Sequence, residues 1–311
     1  MVSLRSAGPL SAGGKLAMHV AGAESNVAVG VARLGHSVAW AGVLGDDPHG
    51  EYIQRQLRSE GIDVQCRIDP QRSTGVMFLE QRTADVSRAF YYRAHSAGSG
   101  LAPDDVKRGL ECGAKVLHLT GITAALGSQA RDTAEYAARF AADSGAVVSL
   151  DVNFRSKLWS RAEAREALTS LVRHAGIVIA SDDELALVTS VQPSQEDSGT
   201  VEAAMAAELL DGGLSEVVVK RGAAGAGVYT RGGHWEVPAV AVTSRDTVGA
   251  GDAFTAGYLS ALLDGEDVAG RLQRGVLTGA FAVSTAGDWE GLPRRAELGL
   301  LTDLARGATQ R

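Results

Sequence analysis

The chain has 311 residues, 45% of them hydrophobic, and a formal net charge of −7. That length and apolar content exclude a disordered chain and allow one large α/β domain with a sizeable core. The acidic balance argues against a general binder of nucleic acid or anionic membranes. The two cysteines, Cys66 and Cys112, form no disulfide framework and no zinc spacing. No apolar run reaches membrane-spanning length or resembles a signal-peptide core, so the expected location is cytoplasmic.

Apolar periodicity alternates between helix-like and strand-like segments. Residues 24–34 read as a helix, 37–43 as a strand, and 48–60 as a helix that starts at a proline and ends before Gly61. Two short strands, 74–82 and 87–94, flank a polar turn. The alternation then becomes regular: helix 103–111, strand 115–119, helix 128–143, strand 146–151, helix 161–173, strand 176–180 and helix 182–189. Residues 191–199 read as a mobile surface loop. A helix at 200–211, a strand at 215–219, short strands near 225–230 and 234–242, and helices near 250–263, 267–285 and 294–305 complete the chain. Strand–helix alternation with right-handed crossovers predicts a three-layer α/β/α sandwich around a mostly parallel central sheet. The whole of 1–311 reads as a single domain. Residues 15–21 and 73–95 have no helix between them and are expected to form a small antiparallel sheet, placed as a lid over the carboxyl ends of the strands.

The segment 246–254 (DTVGAGDAF) joins a small-residue turn to an apolar helix, with Asp252 where the helix begins. The free N–H groups of a helix start hold an anion. A carboxylate beside them takes the proton of an attacking hydroxyl. Together these features point to phosphoryl transfer to an alcohol. Two other phosphate motifs fail: Gly14-Lys15 is followed by Leu16, and Gly222–Gly227 leads into a strand rather than a helix. The latter fits a turn close to a nucleotide and a plain hairpin turn equally well. Ser181–Glu184 reads as a capping box, or as an acid near the waters of a nucleotide-bound Mg²⁺. Asp151–Arg155 ends a strand and is placed to line a site, whereas His118 reads as a hydrogen-bonded core residue. Tyr91 and Arg93 stand in the expected lid, and two arginines near one pocket would suit an acidic sugar.

At these residues the chain resembles the ribokinase-type (PfkB) carbohydrate kinases over nearly its whole length. One family signature resembles 246–257. The other resembles 21–28 with 32–35 and 42–50. Within the family, 90–93, 118–122, 151–159 and 287–293 are most similar to the 2-keto-3-deoxygluconate kinase branch. The resemblance implies a ribokinase-like fold and ATP-dependent phosphorylation of that sugar acid, with Mg²⁺ accompanying ATP. It implies Asp252 as the base and Gly249, Ala250 and Gly251 as the anion cradle. Gly22, Asn26, Tyr91, Arg93, Arg155 and Asp288 would hold the sugar acid. Asn153, Ser181, Lys220, Gly222 and Gly225 would line the nucleotide site, and Glu184 would reach the metal through water.

This chain departs from the family pattern at several points. Ala21-Gly22 stands for the usual Gly-Gly, Val276 for an asparagine that often borders the adenine pocket, and Met77 for a tyrosine in some relatives. The opening residues resemble the stretch just after the family's first strand, a segment of ~5–6 residues. That strand is therefore expected to be missing before Met1. Alternatives to the sugar-acid kinase are a fructokinase- or ribokinase-like enzyme for a neutral sugar, a nucleoside kinase, or a catalytically impaired sugar-binding relative. A homodimer or larger homo-oligomer is an expectation, with neither nucleic acid nor membrane as a partner.

Overall fold

The computed structural model of the chain describes residues 1–83, 86–191 and 198–301. Its strands are β1 (Val2–Ser6), β2 (Ala17–Val20), β3 (Ala39–Gly45), β4 (Asp63–Asp69), β5 (Val76–Gln81), β6 (Ser87–Tyr92), β7 (Val116–Thr120), β8 (Val147–Asp151), β9 (Ile177–Ser181), β10 (Glu216–Lys220), β11 (Ala226–Thr230) and β12 (Gly233–Val237). Its α-helices are α1 (Ala23–Arg33), α2 (Pro48–Ser59), α3 (Pro103–Glu111), α4 (Gly121–Ala125), α5 (Ser128–Asp143), α6 (Arg161–Val172), α7 (Ser198–Asp211), α8 (Ala250–Leu263) and α9 (Val268–Val283). Local chemistry fixes many of these ends. Helix α2 begins where Asp47 accepts the Gly50 N–H at 2.8 Å, with Pro48 at its first position, and gives way to Gly61 at φ 79°.

The main sheet has the order β12-β11-β10-β9-β8-β7, with β7 to β10 parallel and β11 and β12 antiparallel. Strand period two sorts its side chains between two cores. Val148, Leu150, Val178, Ala180, Val217 and Val219 pack with Ala134 of α5, Leu168 of α6 and Met205 of α7. Ile177, Ile179 and Val218 face the other way, against Phe254 and Tyr258 of α8 and Leu272 of α9. Each such large side chain contributes about 1.5–3 kcal/mol by leaving water. Helix α8 is apolar all round because it is enclosed, and residues 252–261 are buried. The parallel register aligns Thr120 with Asp151 and Ser181 with Lys220, bringing polar residues to one end of the sheet.

The six-stranded sheet ends at β7. Strands β3 and β4 form a separate parallel pair. The small sheet has the order β2-β1-β5-β6. Strands 15–21 and 73–95 were expected to make it antiparallel. Instead β1 lies at its middle, antiparallel to β2 but parallel to β5. Strand β4 was not anticipated: Asp63, Arg67 and Ile68 are exposed and only Gln65 is buried, so no alternating apolar face marks it. The helix expected at 182–189 is only a 3₁₀ turn, Leu185–Leu187, and the one near 294 begins as the 3₁₀ turn Arg295–Glu297. Most of the loop expected at 191–199, and the end of the last expected helix, lie outside the described residues.

Candidate active site

The turn before α8 is built from its acid and its glycine. Asp246 Oδ1 accepts the Val248 N–H at 3.0 Å and Oδ2 accepts that of Gly287 at 3.3 Å. Gly249 is left-handed, φ 76°, and a Cβ there would stand 2.0 Å from the Asp288 carbonyl oxygen, so only glycine fits. The Ala250 N–H turns back to the Thr247 carbonyl at 3.3 Å. The N–H groups expected to donate to the anion are those of Gly249, Ala250 and Gly251, and the middle one is engaged in that turn here. Helix geometry gives those of Gly251 and Asp252 no partner within α8.

Asp252 is 8% exposed. Asn26 Nδ2 donates to its Oδ2 at 2.7 Å and Asn153 Nδ2 to its Oδ1 at 3.3 Å. Burial pushes its pKa up to about 6, against the Asn26 hydrogen bond; nearby Asp151 adds to the rise, while Lys220 and Arg155 oppose it. A carboxyl group with that pKa is able to exchange its proton near neutral pH. The side-chain amide oxygens of Asn26 and Asn153 are buried without a partner among the described residues, which leaves two acceptors next to the acid. Gly22 at φ 148° caps α1, and its carbonyl accepts the Asn26 N–H at 2.8 Å, setting that asparagine one turn into the helix. Asn153 itself is left-handed at φ 43°.

Beneath the turn, Lys220 Nζ pairs with Asp151 Oδ2 at 2.7 Å, and the Thr255 hydroxyl donates to the same oxygen at 3.2 Å. Burial acts to lower the Lys220 pKa, but Asp151, Glu184 and Asp252 together raise it, so the side chain stays charged. A Cβ on Gly251 would lie 3.4 Å from Lys220 Nζ, which places that charge directly under the cradle. Glu184 is buried; Oε1 accepts the Phe154 N–H at 2.7 Å and Oε2 that of Ser181 at 3.0 Å. Only half of the expected capping box forms, because the Ser181 hydroxyl goes to Asp183 at 2.7 Å.

Gly222, at φ 53°, opens a 3₁₀ turn between the antiparallel β10 and β11 and Gly225, at φ 99°, follows it, which makes 222–225 a hairpin turn. A Cβ on Gly225 would meet the Val237 carbonyl at 2.1 Å, whereas one on Gly222 would meet nothing within 4 Å. Gly225 therefore serves strand packing, and Gly222 presents an open face. Val276 is buried in the apolar cluster of Phe254 and Tyr258.

On the small sheet, the Arg93 guanidinium lies 4.4 Å from the Tyr91 ring centroid. Its Nε is buried without a partner among the described residues, and Nη1 touches the Met1 sulfur at 3.9 Å. Burial lowers its pKa; Tyr91 and Glu24 offset this in part, and Arg155 adds to it. Arg155 is exposed and donates to the Phe154 carbonyl at 2.9 Å. Met77, buried, pairs with Tyr91 across β5 and β6. Asp288 is ion-paired: Arg5 Nη2 holds its Oδ2 at 2.9 Å. Sequence reasoning missed Arg5, and Glu24, which accepts the Thr120 and Thr123 hydroxyls at 2.6 Å each. His118 shares a hydrogen bond with Ser149 at 3.2 Å. A separate cavity of about 1130 Å³, lined in part by Asp183, Glu202, Arg221 and His234, includes none of the expected site residues.

A helix start above a buried lysine and beside a buried acid suits a phosphotransferase. Comparison with known proteins agrees. The chain belongs to the pfkB family of carbohydrate kinases, whose pattern matches residues 2–295. It is 34% identical to 2-dehydro-3-deoxygalactonokinase of Haloferax volcanii, over 88% of this chain and 84% of that one. It is 35% identical to 2-dehydro-3-deoxygluconokinase of Thermoproteus tenax, over 93% and 87%. The crystal structure of a PfkB protein from Polaromonas sp. JS666 superposes with a TM-score of 0.83 at 34% identity, covering 96% of each chain. The protein is thus a sugar kinase, a phosphotransferase with an alcohol group as acceptor. Among the described residues no helix is long and apolar enough to cross a membrane.

Proposed function

We propose that the protein transfers the γ-phosphoryl group of ATP to a hydroxyl of 2-keto-3-deoxygluconate or its galactonate epimer. The observation that carries the reaction is Asp252, buried at the start of α8 with its pKa pushed up to about 6. Asp252 takes the hydroxyl proton as the sugar oxygen bonds to phosphorus; the bond to the bridging oxygen breaks and ADP leaves. The N–H groups of Gly249 and Gly251, with Lys220 below, stabilise charge on the transferring group. Gly22 and Asn26 hold the sugar beside Asp252. Asn153, Ser181 and Gly222 border the nucleotide, with Gly225 shaping the turn.

A Mg²⁺ ion keeps several waters and takes few carboxylates besides phosphate oxygens. Glu184, each oxygen fixed by one backbone N–H, fits as an acceptor for those waters. Such an ion would neutralise phosphate charge. The small sheet, carrying Tyr91 and Arg93, serves as a lid that excludes water.

Arg93 supports the acidic sugar: it is a half-buried guanidinium with no carboxylate in contact among the described residues. Arg155, close enough to repel it, would join it on a carboxylate. One observation favours a neutral sugar instead: Arg155 turns to the Phe154 carbonyl. The discriminating assay measures ATP-dependent phosphorylation of both sugar acids, fructose, ribose and adenosine. The sugar acids are expected to show the highest kcat/KM, and Asp252→Asn to lower kcat about 10³-fold. Preference for fructose would refute the sugar-acid assignment.

A further inference from the structure

Arg5 stands in β1, away from both family signatures, yet its guanidinium lies between two carboxylates of the site. Nη1 donates to Asp246 Oδ2 at 2.7 Å and Nη2 to Asp288 Oδ2 at 2.9 Å. The three side chains are largely buried, with Arg5 and Asp246 each 14% exposed and Asp288 6%. Each acid bears on the catalytic turn. Asp246 accepts the N–H groups of Val248 and Gly287, at 3.0 and 3.3 Å. The Asp288 carbonyl packs where Gly249 has no Cβ. One planar fork, with an arm on each acid, fixes the spacing between the two loops. Its base is held in turn by β2 and β5, which flank β1.

We propose that Arg5 is a positioning residue that ties the small sheet to the turn at 246–252 and holds the cradle N–H groups where the transferring phosphate lies. The proposal rests on reading that turn as the reaction site. Without the guanidinium, two buried acids of like charge face one another, and the loops that carry them separate. A lysine keeps the charge but not the fork. Phosphoryl transfer depends on placement, and a shift of about 1 Å costs about 100-fold in rate.

The test is steady-state kinetics on Arg5→Lys and on a cycle of Arg5→Met and Asp246→Asn, alone and together, with Asp252→Asn in the same series. We expect Arg5→Met to lower kcat about 100-fold and Arg5→Lys about tenfold, with KM for the sugar changed less than about threefold. In the double variant the losses should not multiply, because both changes break one clamp. A residue that served stability alone would leave kcat of folded Arg5→Lys at the wild-type value. That result overturns the proposal, as do losses that multiply in the cycle. Should Arg5→Met fail to fold, Arg5→Lys carries the test. An active Asp252→Asn would instead overturn the reading of the turn, so the two failures are distinguishable.

Discussion

Two arginines, one in the small sheet and one at its border, meet opposite surroundings. Arg5, in β1, has a carboxylate on each arm; burial acts to lower its pKa, but Asp288 and Asp246 outweigh it and the net shift is upward. Arg93, just past β6, has a ring and a sulfur for neighbours, and its pKa is lowered. Asp252 belongs with Arg93: amides rather than an opposite charge hold it. The paired groups maintain the architecture. On the function proposed above, bound substrate would meet the electrostatic demand of the other two, because a desolvated charge without a partner is costly until a ligand supplies one.

The contrast breaks most visibly in stability. Removing one member of a buried ion pair leaves the other uncompensated, so Arg5→Met is expected to cost about 3–5 kcal/mol in denaturant unfolding. Arg93→Met should change stability by less than about 1 kcal/mol. Equal losses in the two variants would abolish the distinction.

Asp252 sharpens it next. Its folded pKa of about 6 lies above its ordinary value of 3.8, so between those values the native state binds more protons than the unfolded one. Its contribution to stability is full below pH 3.8 and is lost as pH rises through 6. Asp252→Asn should therefore stabilise the fold at pH 7, by up to about 3 kcal/mol, and flatten the stability profile across that window. Wild-type kcat/KM should fall on the acid side through the same value as the base protonates. A variant no more stable than wild type at pH 7 contradicts the account.

The smallest expected effect concerns Arg93 as a ligand. Arg93→Met should raise KM for a sugar acid about tenfold and leave KM for a neutral sugar nearly unchanged. Equal effects on both would assign Arg93 to packing.

Local signals carried much of this structure. The helices α1, α2, α5 and α8 were legible because periodicity, Pro48 and glycine stops agree with burial. Gly249 and Asp252 were legible because the helix start and its steric demand lie within a few residues. Strand β4 was not, since its charged and exposed residues hide the strand period. The Ser181–Glu184 segment misled because Glu184 does reach back to Ser181, yet its other oxygen takes the Phe154 N–H from just past the end of β8 and no full helix forms after it. Arg5 left no trace in its neighbourhood: its meaning comes from partners 241 and 283 residues away.

That separation has a consequence for how the molecule comes into being. Strand β1 stands at the middle of the small sheet, but its parallel neighbour β5 comes only after α1 and α2, and the Arg5 clamp closes only when residue 288 has been made. Contacts of such long sequence range form slowly, since loop closure must precede their reward. The Arg5 clamp is therefore expected to close late in folding, so catalytic activity, more than helix content, should report that a newly synthesised chain has matured.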